Sequence, residues 1–227
     1  MMTLIIGHRG ASAKFTENTI EAFVGAAELG ADWVELDVQK TVDGQLAVFH
    51  DIQLEDGRRV ADIPFADLPD IVPTLDEALA ACGEMGVNIE IKNDPASDSF
   101  DPENRMAPAV LKVARAHLTS DKCLISSFDM GAVNAVRDLD SRMPTALVTD
   151  DDLGPEVAIG RVTAHSHQAI NPWDELVTPR WIVTAREAEL DVHVWTVDDP
   201  ERMVELAEMG VDGIITNVPD VAAAVLR

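Results

Sequence analysis

Three observations predict a (β/α)8 TIM barrel. Short β-branched apolar runs alternate with longer segments of helical period, eight such runs recur, and no G-x-G-x-x-G loop follows the first of them. The alternation gives parallel strands joined by crossover helices. Eight units in 227 residues suit a closed barrel better than an open doubly wound sheet, so residues 1–227 read as one barrel domain.

The predicted strands are 4–7, 33–38, 88–92, 124–127, 145–148, 169–171, 192–197 and 213–216, and the predicted helices 19–29, 75–85, 107–118, 130–139, 179–189, 200–209 and 218–226. Boundary chemistry supports them. Thr74 ahead of Asp76 and Glu77, Asp129 ahead of Met130, and Thr178 ahead of Pro179 supply caps and first-turn residues. Gly30, Gly86 and Gly210 fall where a helix needs a left-handed closing residue. Between Val148 and Ala169 the polar stretches 150–157 and 163–168 leave little room, so the helix there is expected to be short or missing.

Composition removes several functions. With 41 acidic against 17 basic residues the net charge is −24, a field that repels nucleic-acid backbones. Hydrophobic residues at 47% and charged ones at 26% describe a globular chain, so the charge does not signal disorder. Residues 1–7 lack the features of a leader and no run approaches the ~20 apolar residues of a membrane span, so a cytoplasmic protein without stable membrane insertion is expected. The two cysteines, Cys82 and Cys123, lack metal spacing and read as buried thiols.

In such barrels chemistry sits on the loops after the C-terminal strand ends. His8 and Arg9 follow the first strand, Glu35 and Asp37 alternate near the end of the second, Glu90 and Lys92 near the end of the third, and Trp195 lies at the end of the seventh. Residues two apart share a face, so Glu35 and Asp37 point inward together while Val34, Leu36 and Val38 face the helices. Inward carboxylates are costly to ionise without a cation. Three hard oxygen donors, with Glu90 as the third, suit Mg²⁺ or Ca²⁺ and suit zinc poorly. A structural ion-pair network with Arg9 and Lys92 is the bland alternative. A hairpin-like excursion through residues 45–49 returns His50 over the barrel mouth, and two histidines beside a metal can divide acid and base roles.

The order of motifs resembles the glycerophosphodiester phosphodiesterase family: His8-Arg9-Gly10, Glu17-Asn18-Thr19, Glu35-Leu36-Asp37-Val38, Thr41-x-Asp43-Gly44, His50-Asp51, Glu90-Ile91-Lys92, Ser126-Ser127-Phe128, Trp195-Thr196-Val197 and the stretch from Gly210 to Thr216. The resemblance spans nearly the whole chain. It implies metal-dependent hydrolysis of a small-molecule glycerophosphodiester to sn-glycerol 3-phosphate and an alcohol. By matching motif, Glu35, Asp37 and Glu90 become metal ligands, His8 and His50 the acid/base pair, Arg9 and Lys92 phosphate-binding cations, and Trp195 an apolar wall near the glycerol. A barrel forming a cyclic phosphate, or one that binds without turnover, would share these residues. After His50-Asp51 the chain departs from the family's Leu-x-Arg-Thr-Thr stretch and reaches Pro73-Thr74 quickly, so the capping insertion after the second strand is expected to be reduced.

Other polar residues have plainer readings. His165 and His167 are expected in a surface connection, His117 and His193 as helix-end or strand packing residues, and 150–152 as a solvated acidic turn.

Overall fold

The computed structural model describes residues 2–97 and 99–227; Met1, the start of the N-terminal stretch read above, and Asp98 lie outside the described residues. The chain runs β1 (Leu4–His8), α1 (Ile20–Glu28), β2 (Trp33–Lys40), β3 (Leu46–Val48), α2 (Leu75–Ala81), β4 (Gly86–Ile91), α3 (Ala107–His117), β5 (Cys123–Ser127) and α4 (Met130–Leu139). There follow β6 (Thr145–Thr149), α5 (Pro155–Ala164), β7 (Ala169–Pro172), α6 (Pro179–Glu187), β8 (Asp191–Val194), α7 (Pro200–Met209), β9 (Gly213–Thr216) and α8 (Pro219–Leu226). Eight strands pair in parallel in the order β1-β9-β8-β7-β6-β5-β4-β2, and β1 pairs with β2 to close the barrel. β3 adds antiparallel to the C-terminal end of β2, with Val38 opposite Val48, which is the predicted excursion.

Alternation along each strand divides the core in two. Val34, Leu36, Val38, Ile89 and Ile125 pack outward against helices, as do Leu147, Ile170, Val192 and Ile214 on the other side of the ring. Leu124, Ala146 and Ala169 face inward and pack with Trp33 across the barrel floor. The floor dictates a glycine. A Cβ on Gly86 would lie 2.1 Å from Trp33 Cε2, so the indole fits only because β4 begins without a side chain. Gly86 therefore does not close α2, as the sequence suggested; the helix stops at Ala81 and Gly83 takes the left-handed turn with φ of 59°. Gly30 and Gly210, at φ of 90° and 87°, do close their helices.

Caps at Thr74, Asp129 and Thr178 form as expected, and Thr74 and Glu77 make a reciprocal capping box. The turns before β2 and β9 share a device: Asp32 accepts from the Ile5 amide at 2.8 Å and Asp212 from the Val192 amide at 2.9 Å, each tying a turn to the neighbouring strand. The segment between β3 and α2 carries two short 3-10 turns and a small cluster of its own around Leu54, Val60, Ile63, Leu68 and Val72. This is the reduced capping insertion.

Two expectations fail together. The fifth helix slot is occupied by α5, ten residues long, which starts on Gly154 and Pro155 without a side-chain cap and buries only Ala158, Ile159 and Val162. So small an apolar side, interrupted by Gly160, leaves little periodic signal. The helix carries its C-terminal turn inward, so His167 is not a surface residue. It is 4% exposed, hydrogen-bonded through Nδ1 to Thr145 Oγ1 at 2.8 Å and through Nε2 to Asn134 Oδ1 at 3.1 Å, while His165 stays exposed. His193 is a strand packing residue, His117 ends α3 beside Asp76, the turn 150–152 is exposed, and both thiols are buried and free.

Burial pushes His167 and His193 down to about 4, and Arg137 and His165 add to the shift at His167. The unfolded chain, with imidazoles near 6.5, then binds more protons than the folded one below that pH. Stability present above pH 6.5 should therefore fall as pH drops toward 4, with His193 contributing on the order of 3 kcal/mol. Denaturant titrations at pH 7 and pH 5 test this: His193→Leu should show a shallower loss than the wild type, and equal losses would contradict it.

Candidate active site

Strand register assembles the site. His8, the last residue of β1, pairs with Glu35 on β2, and Asp37 pairs with Glu90 on β4. Carboxylate oxygens of Glu35, Asp37 and Glu90, all buried, lie within 4.8 Å of one another. Lys92, two residues past Glu90, sends Nζ back to Glu90 Oε1 at 3.0 Å and Asp37 Oδ1 at 3.4 Å. Arg9 approaches from the other side, with Nε 3.2 Å from Asp37 Oδ2 and one terminal nitrogen 2.9 Å from Glu17. Its backbone is left-handed, φ 54°, which turns its amide onto Glu35 Oε2 at 3.1 Å. His50 comes in on the turn after β3, and Trp195 directly follows β8. All eight residues singled out from the sequence lie at the C-terminal mouth and line one cavity of about 90 Å³.

The electrostatics are uneven. Burial, reinforced by Asp37 and Glu90, pushes the Glu35 carboxyl well above the usual range. Burial also raises Glu90 against the pull of Lys92, whereas at Asp37 the opposing effect of Lys92 and Arg9 overcomes burial and lowers it. Burial would lower Lys92, but Glu90 and Asp37 outweigh it and hold the ammonium charged. Three carboxylates face two fixed cations, so the cluster keeps room for further positive charge. An all-oxygen donor set of this kind fits a hard divalent cation.

Residues that the sequence did not single out orient the others. Asn18, 3% exposed and left-handed at φ 56°, donates from Nδ2 to Asp37 Oδ2 at 2.8 Å and accepts the Asp37 amide at 3.3 Å. Gln39 donates from Nε2 to the carbonyls of Phe49, His50 and Asp51 at 2.9, 3.2 and 2.7 Å, clamping the turn that carries His50. Asn217 accepts at Oδ1 from His8 Nδ1 and from the Ser12 hydroxyl, both at 2.7 Å, while its Nδ2 donates to Asp198 at 2.7 Å. The Asp198 carboxylate fixes which end of the amide faces His8, so His8 carries its proton on Nδ1 and turns the Nε2 lone pair toward Glu35, 4.0 Å away. Burial and the neighbouring Arg9 lower the His8 pKa, with Asn217 opposing. Asn18 stood inside a quoted motif; Gln39 and Asn217 carried no signal that a single sequence exposes.

An aromatic edge borders the cavity: Phe128 and Trp195 meet edge-on at 5.6 Å, and Lys92 Nζ stands 6.0 Å from the Phe128 ring. Beyond it opens a cleft of about 960 Å³ that shares His50, Glu90, Lys92 and Phe128 with the cavity.

Fold and site together define a (β/α)8 enzyme with a buried acidic centre flanked by histidines and fixed cations. Residues 8–221 match the glycerophosphoryl diester phosphodiesterase family, and the chain belongs to it; it is a phosphoric diester hydrolase. A glycerophosphodiester phosphodiesterase of Caldanaerobacter subterraneus subsp. tengcongensis is 32% identical over 248 residues, covering all of this chain and 99% of the relative. The crystal structure of a Thermotoga maritima glycerophosphodiester phosphodiesterase superposes with a TM-score of 0.83 at 26% identity, covering 99% of this chain and 98% of that one. An Oleispira antarctica phosphodiesterase, solved with its product sn-glycerol-3-phosphate, shares the fold with a TM-score of 0.89 at 23% identity over 99% of this chain and 96% of that one.

The relay behind His8 has a direct spectroscopic consequence. Imidazole ¹⁵N spectra of the wild type should show His8 as a single Nδ1-protonated tautomer, and Asn217→Leu should produce a mixture. An unchanged His8 spectrum in the variant would show that something other than Asn217 sets the tautomer.

Proposed function

We propose that the chain hydrolyses glycerophosphodiesters to sn-glycerol 3-phosphate and an alcohol with the help of a divalent cation, Mg²⁺ or Ca²⁺, and that residues 1–227 act as one catalytic domain. The observation that carries this reading is the convergence of three buried carboxylates within 4.8 Å, held between Arg9 and Lys92 and flanked by His8 and His50. Membership of the family supports the substrate class, and the relatives named above supply the same activity by name. A small-molecule substrate suits a cavity of this size. Among the described residues no helix is long and apolar enough to cross a membrane.

Glu35, Asp37 and Glu90 would hold the cation, which would supply Lewis-acid neutralisation of phosphoryl charge. Arg9 and Lys92 bind and orient the phosphate, fixed in place by their carboxylate partners before substrate arrives, so little reorganisation is needed as charge develops. His8 presents its Nε2 lone pair to the site because Asn217 occupies Nδ1. His50 is arranged alike, with Nδ1 held 2.8 Å from Asp51 Oδ1 and the other ring nitrogen left for the substrate. The two imidazoles divide the proton transfers: one accepts a proton from the attacking oxygen, of water or of a glycerol hydroxyl whose cyclic phosphate water then opens, as it bonds to phosphorus, and the other protonates the alcohol oxygen as its bond to phosphorus breaks. Trp195 and Phe128 shield the reacting centre from water along the glycerol side.

Steady-state kinetics with sn-glycero-3-phosphocholine separate these roles. Glu35→Gln or Glu90→Gln should raise the cation concentration for half-maximal activity by about tenfold or more. His8→Ala and His50→Ala should lower kcat by roughly 10²- to 10⁴-fold with cation binding retained, and a His50→Ala enzyme of wild-type speed would sink the proton-transfer assignment. Trp195→Ala should act chiefly on KM, by about tenfold.

A further inference from the structure

Beside the catalytic mouth lies a second cavity, of about 330 Å³, with basic residues that the reaction above does not employ. It sits past the ends of β2 and β4, against the first turns of α3 and α4, where Ala107 and Ala132 supply apolar lining. Lys40, the last residue of β2, belongs to the outward face of that strand together with Val38, whereas Asp37 belongs to the inward one. The cavity therefore lies on the helix side of the wall that carries the carboxylates. Ser99 and Arg105 line it from the connection between β4 and α3. That connection also borders the large cleft, because Lys92, Asn93 and Ser99 line both spaces.

Hydrogen-bond donors are in surplus there. Among the described residues that line the cavity, Asp101 is the single acid, against Lys40, Lys92 and Arg105. Lys92 is committed elsewhere, with Nζ held by Glu90 and Asp37. Asp101 is committed too: it accepts the amides of Glu103 and Arg105 at 3.2 and 2.9 Å and Arg105 Nε at 3.1 Å. Three donors are left over. Lys40 Nζ stands 4.0 Å from Asp101 and makes no hydrogen bond among the described residues. The terminal nitrogens of Arg105 are open, since Nε makes its side-chain bonds. The Ser99 hydroxyl is buried without a partner.

This surplus runs against the character of the chain. With 41 acidic and 17 basic residues, a carboxylate is easily placed beside a lysine, as Lys14 and Lys92 show at 2.7 and 3.0 Å. Around Lys40 the only acid is one already saturated by other donors. An ammonium, a guanidinium and a hydroxyl that converge on one cavity without a free carboxylate complement an oxyanion with several acceptor oxygens.

We propose that this cavity is a second oxyanion site, one that takes a phosphate group apart from the reaction centre and is joined to the catalytic cleft through the connection that carries Asn93 and Ser99. A phosphate held there ties β2, through Lys40, to that connection, through Ser99 and Arg105, and so braces one wall of the cleft. Two sources share the chemistry: free phosphate, and a phosphate carried on the alcohol arm of a substrate lying in the cleft. The site goes beyond the hydrolytic reading and does not depend on it.

The test is a heteronuclear NMR titration of the full chain with inorganic phosphate, at ionic strength held constant with chloride. Saturable shifts are expected at the Lys40, Ser99 and Arg105 amides, and chloride alone should not reproduce them. Lys40→Gln should weaken that binding about tenfold, and Arg105→Gln supplies a second variant with the same expected direction should the first not fold. Neither residue serves the reaction, so both variants should turn over sn-glycero-3-phosphocholine within about twofold of the wild-type kcat. Kinetics with sn-glycero-3-phosphoinositol and its 4-phosphate separate the two sources. A substrate-borne phosphate predicts that Lys40→Gln raises KM about tenfold for the 4-phosphate alone, whereas free phosphate predicts an unchanged KM for both. Absence of saturable shifts at the three residues, equal shifts with chloride, or wild-type phosphate affinity in both variants would overturn the site. Absence of turnover would count against the hydrolytic reading alone, because phosphate binding is read without it.

Discussion

The mutual repulsion of three buried carboxylates is the constraint on which this structure depends. At separations within 4.8 Å, each like-charged pair costs roughly 3 kcal/mol at an effective dielectric of ~20, and burial adds a desolvation penalty. The surroundings offset this in graded fashion. Asp37 is compensated by Arg9, Lys92 and Asn18, Glu90 chiefly by Lys92, and Glu35 by a backbone amide and the more distant guanidinium. The residual strain concentrates on Glu35, whose carboxyl is pushed furthest toward the neutral form. A bound cation would relieve it, so the unstable feature of the free protein would also be the source of affinity for such an ion.

The barrel makes such a cluster possible. Closing eight strands fixes neighbouring registers, and the pairing of His8 with Glu35 and of Asp37 with Glu90 follows from hydrogen bonds far from the site. The apolar floor of Trp33, Leu124, Ala146 and Ala169 seals the opposite end. Rigid strands therefore carry the three carboxylates and His8, while Arg9, His50 and Lys92 stand just past strand ends. The net charge of −24 does not contradict an anionic substrate, because fields inside a cavity are set by the nearest charges, Arg9, Lys92 and the cation, more than by screened surface carboxylates.

Much of this was legible in the sequence, and the boundary of legibility has physical causes. The strands were readable because inward and outward positions differ in chemistry, as in the alternation of Val34, Leu36 and Val38 with Glu35 and Asp37. The residues that converge on the cavity were readable as candidates because polar side chains at strand ends break an apolar pattern. α5 was hidden by its small buried side and its Gly-Pro start. His167 was misjudged because its burial depends on that helix, and Gly86 because its role is set by Trp33 from another strand. Gln39 acts through bonds 10 to 12 positions away within the β2–β3 excursion, and Asn217 through one spanning 209 positions, which exists only after the barrel closes.

The central claim, that the carboxylate cluster binds a divalent cation needed for phosphodiester hydrolysis, is tested most directly by metal depletion and add-back. Protein stripped with a chelator would be assayed for release of sn-glycerol 3-phosphate from a panel of glycerophosphodiesters, without metal and with Mg²⁺, Ca²⁺ or Mn²⁺ restored. The account predicts a silent stripped protein and recovery with at least one divalent cation at a stoichiometry of one site per chain. Full activity in the stripped protein, or no release from any diester with any of the three ions, would contradict it.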